Sequence, residues 1–162
     1  MNALIEAYLR STGVRYFRGH HDDEYFFLVD FVFLVDAHQG RLHVHLEACG
    51  PERDSVQMSI TPDRFYPVED RGRLCGLADR WIGQNPGAEA IVHDSSDPSL
   101  VGVSVQSLHR PADAESLACF VDECVASAIE LFGTMGQRAL GQRALGQTAT
   151  CQAVAPELRD AG

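Results

Sequence analysis

The chain has 162 residues, 45% of them hydrophobic, with 13 basic residues, all arginine, against 23 acidic ones, giving a formal charge of −10 and a pI near 5.0. That length supports one hydrophobic core rather than two, and the charge sets any nucleic-acid or anionic-membrane surface against an overall repulsion of phosphate. No stretch approaches the roughly 18 apolar residues of a membrane helix. The start Met1-Asn2-Ala3-Leu4-Ile5-Glu6 has neither a basic stretch nor a long apolar run, so a cytoplasmic protein is expected.

Leu4, Ile5, Tyr8 and Leu9 recur at helical spacing between Asn2, a candidate cap, and Gly13, a natural stop, and predict a first helix. Tyr16 and Phe17 precede the polar turn His20-His21-Asp22-Asp23-Glu24, which leads into an almost wholly apolar strand from Tyr25 to Val35. After the loop Ala37-His38-Gln39-Gly40, Leu42, Val44 and Leu46 alternate with Arg41, His43, His45 and Glu47. Beyond the turn at 50–54, Val56, Met58 and Ile60 alternate with Ser55, Gln57 and Ser59, completing a three-stranded antiparallel meander.

Leu74, Leu77, Ala78, Trp81 and Ile82 form the stripe of a second helix with Glu69 and Asp70 at its start and Asn85-Pro86-Gly87 at its end. Ala88 to His93 and Leu100 to Leu108 predict a second hairpin around 94–99. Leu117, Val121, Cys124, Val125, Ala128, Leu131 and Phe132 mark the last helix, with Asp113 as its cap and Gly133 as its stop. Gly136-Gln137-Arg138-Ala139-Leu140 is then repeated at once as 141–145, and a five-residue period puts successive leucines about 500° apart on a helix. The reading is a domain over 1–135 followed by a low-complexity tail, 136–162, disordered or partly helical.

The predicted order is α-β-β-β-α-β-β-α, an α+β fold built on antiparallel sheet. This order, with the tryptophan and asparagine of Arg80-Trp81-Ile82-Gly83-Gln84-Asn85 and the final amphipathic helix, resembles the bacterial YbjN family and the type III secretion chaperone fold over about Met1 to Met135. The resemblance implies a dimeric peptide- or protein-binding module with no catalytic residues to carry over. The repeated tail falls outside it.

Two other chemistries were open to these residues. His43 and His45 place two imidazoles on one face of a strand, a spacing found in metal sites, with His20, His21, Asp22 and His38 in flanking turns. Leu42, Val44 and Leu46 take the other face, however, so the histidines fall where a sheet turns polar side chains to water, and no metal or cofactor is expected. His20-His21-Asp22-Asp23-Glu24 lacks the oxygen spacing and central glycine of a calcium loop. The cysteines Cys49, Cys75, Cys119, Cys124 and Cys151 are odd in number and contain no Cys-x-x-Cys, which predicts reduced, mostly buried thiols.

The informative segment is Tyr25 to Val35. Its odd positions are all apolar, and its even positions are apolar except Asp30. A strand wet on one face should be polar at every second residue, so something must cover Phe26, Leu28, Val32 and Leu34. The predicted surface is a peptide groove or dimer interface formed by Leu4, Tyr8, Phe26, Leu28, Val32 and Leu34. The expected function is non-enzymatic binding of a protein or peptide, basic by charge complementarity, with a homodimer as one form. A metal-dependent or small-ligand enzyme using His43 and His45 is the alternative.

Overall fold

Ile5, Tyr8 and Leu9 place three buried side chains on one stripe of helix α1, Asn2–Ser11, which ends where Gly13 takes a positive φ of 69°. Asn2 does not cap this helix. Its amide instead donates to Asp23 Oδ1 at 2.8 Å and to the Asp22 carbonyl at 3.3 Å, tying α1 to the turn ahead of the long strand. The computed structural model describes residues 1–32 and 39–148, apart from the side chains of Val32 and of 137–148.

The strands are β1 (Tyr16–Arg18), β2 (Glu24–Val32), β3 (Gln39–Cys49), β4 (Ser55–Pro62), β5 (Tyr66–Pro67), β6 (Ala88–Asp94) and β7 (Leu100–His109), with α2 (Arg71–Ile82) between β5 and β6 and α3 (Ala114–Thr148) last. All pairings are antiparallel. The expected meander is β2-β3-β4 and the expected second hairpin is β6-β7. They form one seven-stranded sheet because β4 pairs with β7 from Val56↔His109 to Ile60↔Val105. Two short strands, β1 and β5, were not anticipated, since pieces of three and two residues are too short to show alternation.

The alternation read in the sequence fixes which side of the sheet is dry. Tyr25 and Phe27 of β2, Leu42, Val44, Leu46 and Ala48 of β3, Val56, Met58 and Ile60 of β4, and Val101, Val103 and Val105 of β7 are all buried. They join Ile5 and Leu9 of α1, Leu74 and Trp81 of α2, and Leu117, Val121 and Phe132 of α3 in one cluster, so the helices lie on this face. Each large side chain so enclosed contributes roughly 1.5 to 3 kcal/mol of transfer free energy. The link between α2 and α3 is specific: the Trp81 indole N–H donates to the Ser127 carbonyl at 3.2 Å, while Asn85 caps α2 by donating its side-chain amide to the Trp81 carbonyl at 2.9 Å.

Asp113 caps α3 as expected, accepting from the Ser116 amide at 2.8 Å. Gly133 does not stop it: the helix runs on to Thr148, through both copies of the repeat. Gln, Arg, Ala and Leu are good helix formers, and glycine at 136 serves a close approach, because the Arg64 guanidinium fills the space a side chain there would need. Met135 is fully buried and its carbonyl accepts from Arg73 at 3.3 Å. The rest of the predicted tail, 149–162, lies outside the described residues. No helix among the described residues is long and apolar enough to cross a membrane.

Because the last buried side chain described belongs to Met135, deletion of residues 137–162 is expected to leave the melting temperature within a few degrees of the full chain. Deletion from Leu131 onward removes Leu131, Phe132 and Met135 from the core and should abolish cooperative unfolding by calorimetry. Phe132→Ala alone should cost about 3 to 5 kcal/mol in urea titrations.

Candidate functional site

Since the helices cover one face of the sheet, the other is open. Register places Phe17 of β1 beside Phe26 of β2, Phe26 beside His45 of β3, and Leu28 beside His43. Phe17 is 69% exposed, Phe26 40% and Leu28 43%. The row continues through Ser59 of β4 and Gln106 of β7 to Glu89 of β6, so the middle of the outer face is polar. No described element of the chain covers the apolar end.

Side-chain contacts fix the shape of that end. The Phe26 ring stacks on the His45 imidazole with centroids 4.3 Å apart and planes 6° from parallel. His45 Nε2 is enclosed beside this stack with no hydrogen-bond partner among the described residues. Gly19 permits this arrangement, since a side chain there would strike Glu24 and Phe26. Glu24 and Glu47 face each other across β2 and β3 next to the stack, both half-buried. Asp30 and Arg41 close the far end as an ion pair, Nε to Oδ1 at 2.7 Å, and the guanidinium holds the Asp30 carboxyl below its ordinary range.

The six predicted surface residues do not form one groove. Phe26 and Leu28 lie together on the outer face, whereas Tyr8 is in the core and Leu4 packs half-buried against it, both on the helix side of the sheet. The reason is that α1 lies over the same face as Tyr25, whose hydroxyl donates to Glu6 Oε1 at 3.3 Å. The side chain of Val32, and Leu34 altogether, lie outside the described residues. Phe17 was missed because it belongs to the three-residue β1. Its only signal was the alternation of Tyr16, Phe17 and Arg18, with Tyr16 paired inward to Phe27 and Phe17 outward to Phe26.

The histidines do not converge. His43 Nε2 is 3.9 Å from Asp63 Oδ1, His45 is stacked on Phe26, and His20 and His21 are exposed in the β1–β2 turn. His38 lies outside the described residues. Among the described residues no group of three or more His, Cys, Asp or Glu is arranged to hold a metal. The cysteines correct the expectation of burial: Cys75 and Cys119 are exposed, and Cys49 and Cys124 half-buried, all four as free thiols, while Cys151 lies outside the described residues. Cys119 falls away from the apolar stripe of α3, and Cys75 sits one residue past the buried Leu74, on the wet side of α2.

Tyr8 has a structural role. Its hydroxyl donates to Asp122 Oδ1 of α3 at 3.4 Å, and its pKa is pushed up to about 12 by burial and then by the Asp122 charge.

No family model matches the sequence, and no curated protein matches it. Among solved structures the chain is similar to YbjN from E. coli, described as a candidate transcription regulator. The match has a TM-score of 0.58 and 10% identity and covers 85% of this chain and 92% of that one. At that identity the likeness establishes the fold, which is YbjN-like, α+β and antiparallel, as the element order had implied.

Two measurements check this assignment of side chains. Zinc added to protein purified without a polyhistidine tag should show no stoichiometric site above micromolar affinity by calorimetry, because His43 and His45 supply two ligands where a closed site needs about four. Tyr8 resists ionisation in the folded state, so its contribution is fully present below pH 10 and is lost as the pH rises from 10 toward about 12. Tyr8→Phe should remove that alkaline loss from denaturant titrations and cost under about 1 kcal/mol at neutral pH.

Proposed function

We propose that the protein is a non-enzymatic binding module that takes up a protein or peptide segment on the outer face of β1 and β2. One observation carries this reading: Phe17, Phe26 and Leu28 form a contiguous apolar patch on adjacent strands with no described element over it. Exposed apolar patches of this kind mark interaction surfaces in soluble proteins. The stacked Phe26 and His45 give the patch a rigid aromatic centre, which loses little conformational entropy on binding.

Charge supports a basic partner. Glu24 and Glu47 flank the aromatic stack, and the chain as a whole carries −10. The same charge disfavours direct contact with nucleic acid, so a regulatory role like that ascribed to YbjN would run through protein contacts. A second copy of the chain is another occupant compatible with the apolar patch, and the cytoplasm is the compartment this reading assumes.

Leu28→Asp places a charge on an exposed position, so the variant should keep the circular dichroism and, within a few degrees, the melting temperature of the wild type. Peptides selected from a displayed library against the wild-type chain should lose at least tenfold in affinity toward it, and any dimer seen by light scattering should dissociate. Unfolding of Leu28→Asp would show that the face is buried in the monomer, and undiminished peptide affinity would place binding elsewhere; either result overturns the proposal.

A further inference from the structure

At the other end of the sheet, three strands from the aromatic patch, the backbone leaves a slot. β7 continues to His109, but β6 begins at Ala88 opposite Ser107, so Leu108 and His109 have strand partners only on the β4 side, Gln57 and Val56. Gly87, with φ 89°, turns the chain away at that point. The slot opens into a cleft of about 320 Å³ between the α2–β6 connection and α3, walled by Trp81, Val105, Leu108 and Phe120. A second cavity of about 230 Å³ shares Gly87, Ser107 and Leu108 with the first and extends past Glu89 onto the outer face.

The walls are held in place before anything enters. Trp81 is fixed by its bond to the Ser127 carbonyl, and Phe120 is stacked on His109 at 4.8 Å, with His109 Nε2 in turn 3.1 Å from Ser116 Oγ. Burial pushes the Cys124 thiol up, so it stands neutral in the wall beside Ser107. Leu108 stands 62% exposed at the junction of the two cavities. The charged residues lining them are Glu123 and Glu89, and neither joins an ion pair among the described residues.

We propose that this cleft is a second docking site, independent of the outer-face patch, and that its occupant is a basic partner segment. An aromatic or aliphatic side chain of that segment enters between Trp81 and Phe120, and flanking arginine or lysine residues meet Glu123 and Glu89. A partner with acidic flanks would set its charge against two exposed carboxylates at the edge of the cleft that no described cation neutralises, whereas basic flanks would complement them. Preformed walls spare the ordering cost that weakens binding to flexible surfaces.

Trp81 is the chain's sole tryptophan, so its fluorescence reports on the cleft directly. The full chain is titrated with the synthetic peptide Arg-Phe-Arg-Leu-Arg, with Glu-Phe-Glu-Leu-Glu and with Arg-Gly-Arg-Gly-Arg, following Trp81 emission and heat by calorimetry. The expected result is a saturable change with the first peptide alone, weakened by added salt. The double variant Glu89→Lys/Glu123→Lys, with unchanged circular dichroism, should bind it at least tenfold more weakly, while Leu28→Asp binds it as the wild type does. Equal binding of the acidic or glycine-containing peptide, equal affinity in the double lysine variant, or no saturable response overturns the proposal. Binding lost in Leu28→Asp but kept in the lysine variant overturns it too, and assigns the peptide to the outer face.

Discussion

Between Val56 and Ile60, β4 lies against the stretch of β7 from Val105 to His109, and the rest of the architecture depends on that seam. Without it the chain would consist of a four-stranded unit, β1 to β4, and a separate piece of β5, β7 and β6, each with a smaller apolar face for the helices to cover. With it, the inward rows of β2, β3, β4 and β7 become one continuous dry surface, over which the stripes of α1, α2 and α3 close. A single layer of helices on a single sheet necessarily leaves the opposite face to water or to a partner.

That consequence distinguishes the two ends of the sheet. At the β1–β2 end, Phe17, Phe26 and Leu28 break the polar alternation that His43, His45, Gln57 and Ser59 keep in the middle. At the β6–β7 end the sheet is short by two residues, and the gap becomes a cleft rather than a flat patch, because α3 passes over it carrying Phe120 and Cys124. Both surfaces carry unpaired or closely spaced carboxylates, Glu24 and Glu47 at one end and Glu89 and Glu123 at the other. The two proposed docking sites therefore share one charge preference, and linked contacts of that kind would gain strength through effective concentration.

The extension of α3 past Gly133 shows how tertiary contacts override a local stop signal. Glycine ends a helix when it can take a positive φ and nothing nearby needs the helix to continue. Here Phe132 and Met135 on either side of Gly133 are in the core, and Arg64 packs against Gly136, so the helical path is held in place by burial on both sides of the glycine.

Much of this was legible in the residues themselves. The period-two patterns of Leu42 to Leu46 and Val56 to Ile60, and the helical stripe from Leu117 to Phe132, assign both element type and inward face, because in an amphipathic element spacing and burial are the same information. The break in alternation at Phe26 and Leu28 likewise marked the outer patch. Pairing between β4 and β7 was not legible, since strand neighbours nearly fifty residues apart are chosen by how the whole sheet closes and not by any local signal. For the same reason Tyr8 and Leu4, apolar and helical like any core stripe, could be placed on a binding surface by sequence when the fold puts them beneath the sheet. The cleft at Trp81 and Phe120 was invisible for a related cause: it is a gap set by where one strand begins and its neighbour ends, and only the assembled register decides that.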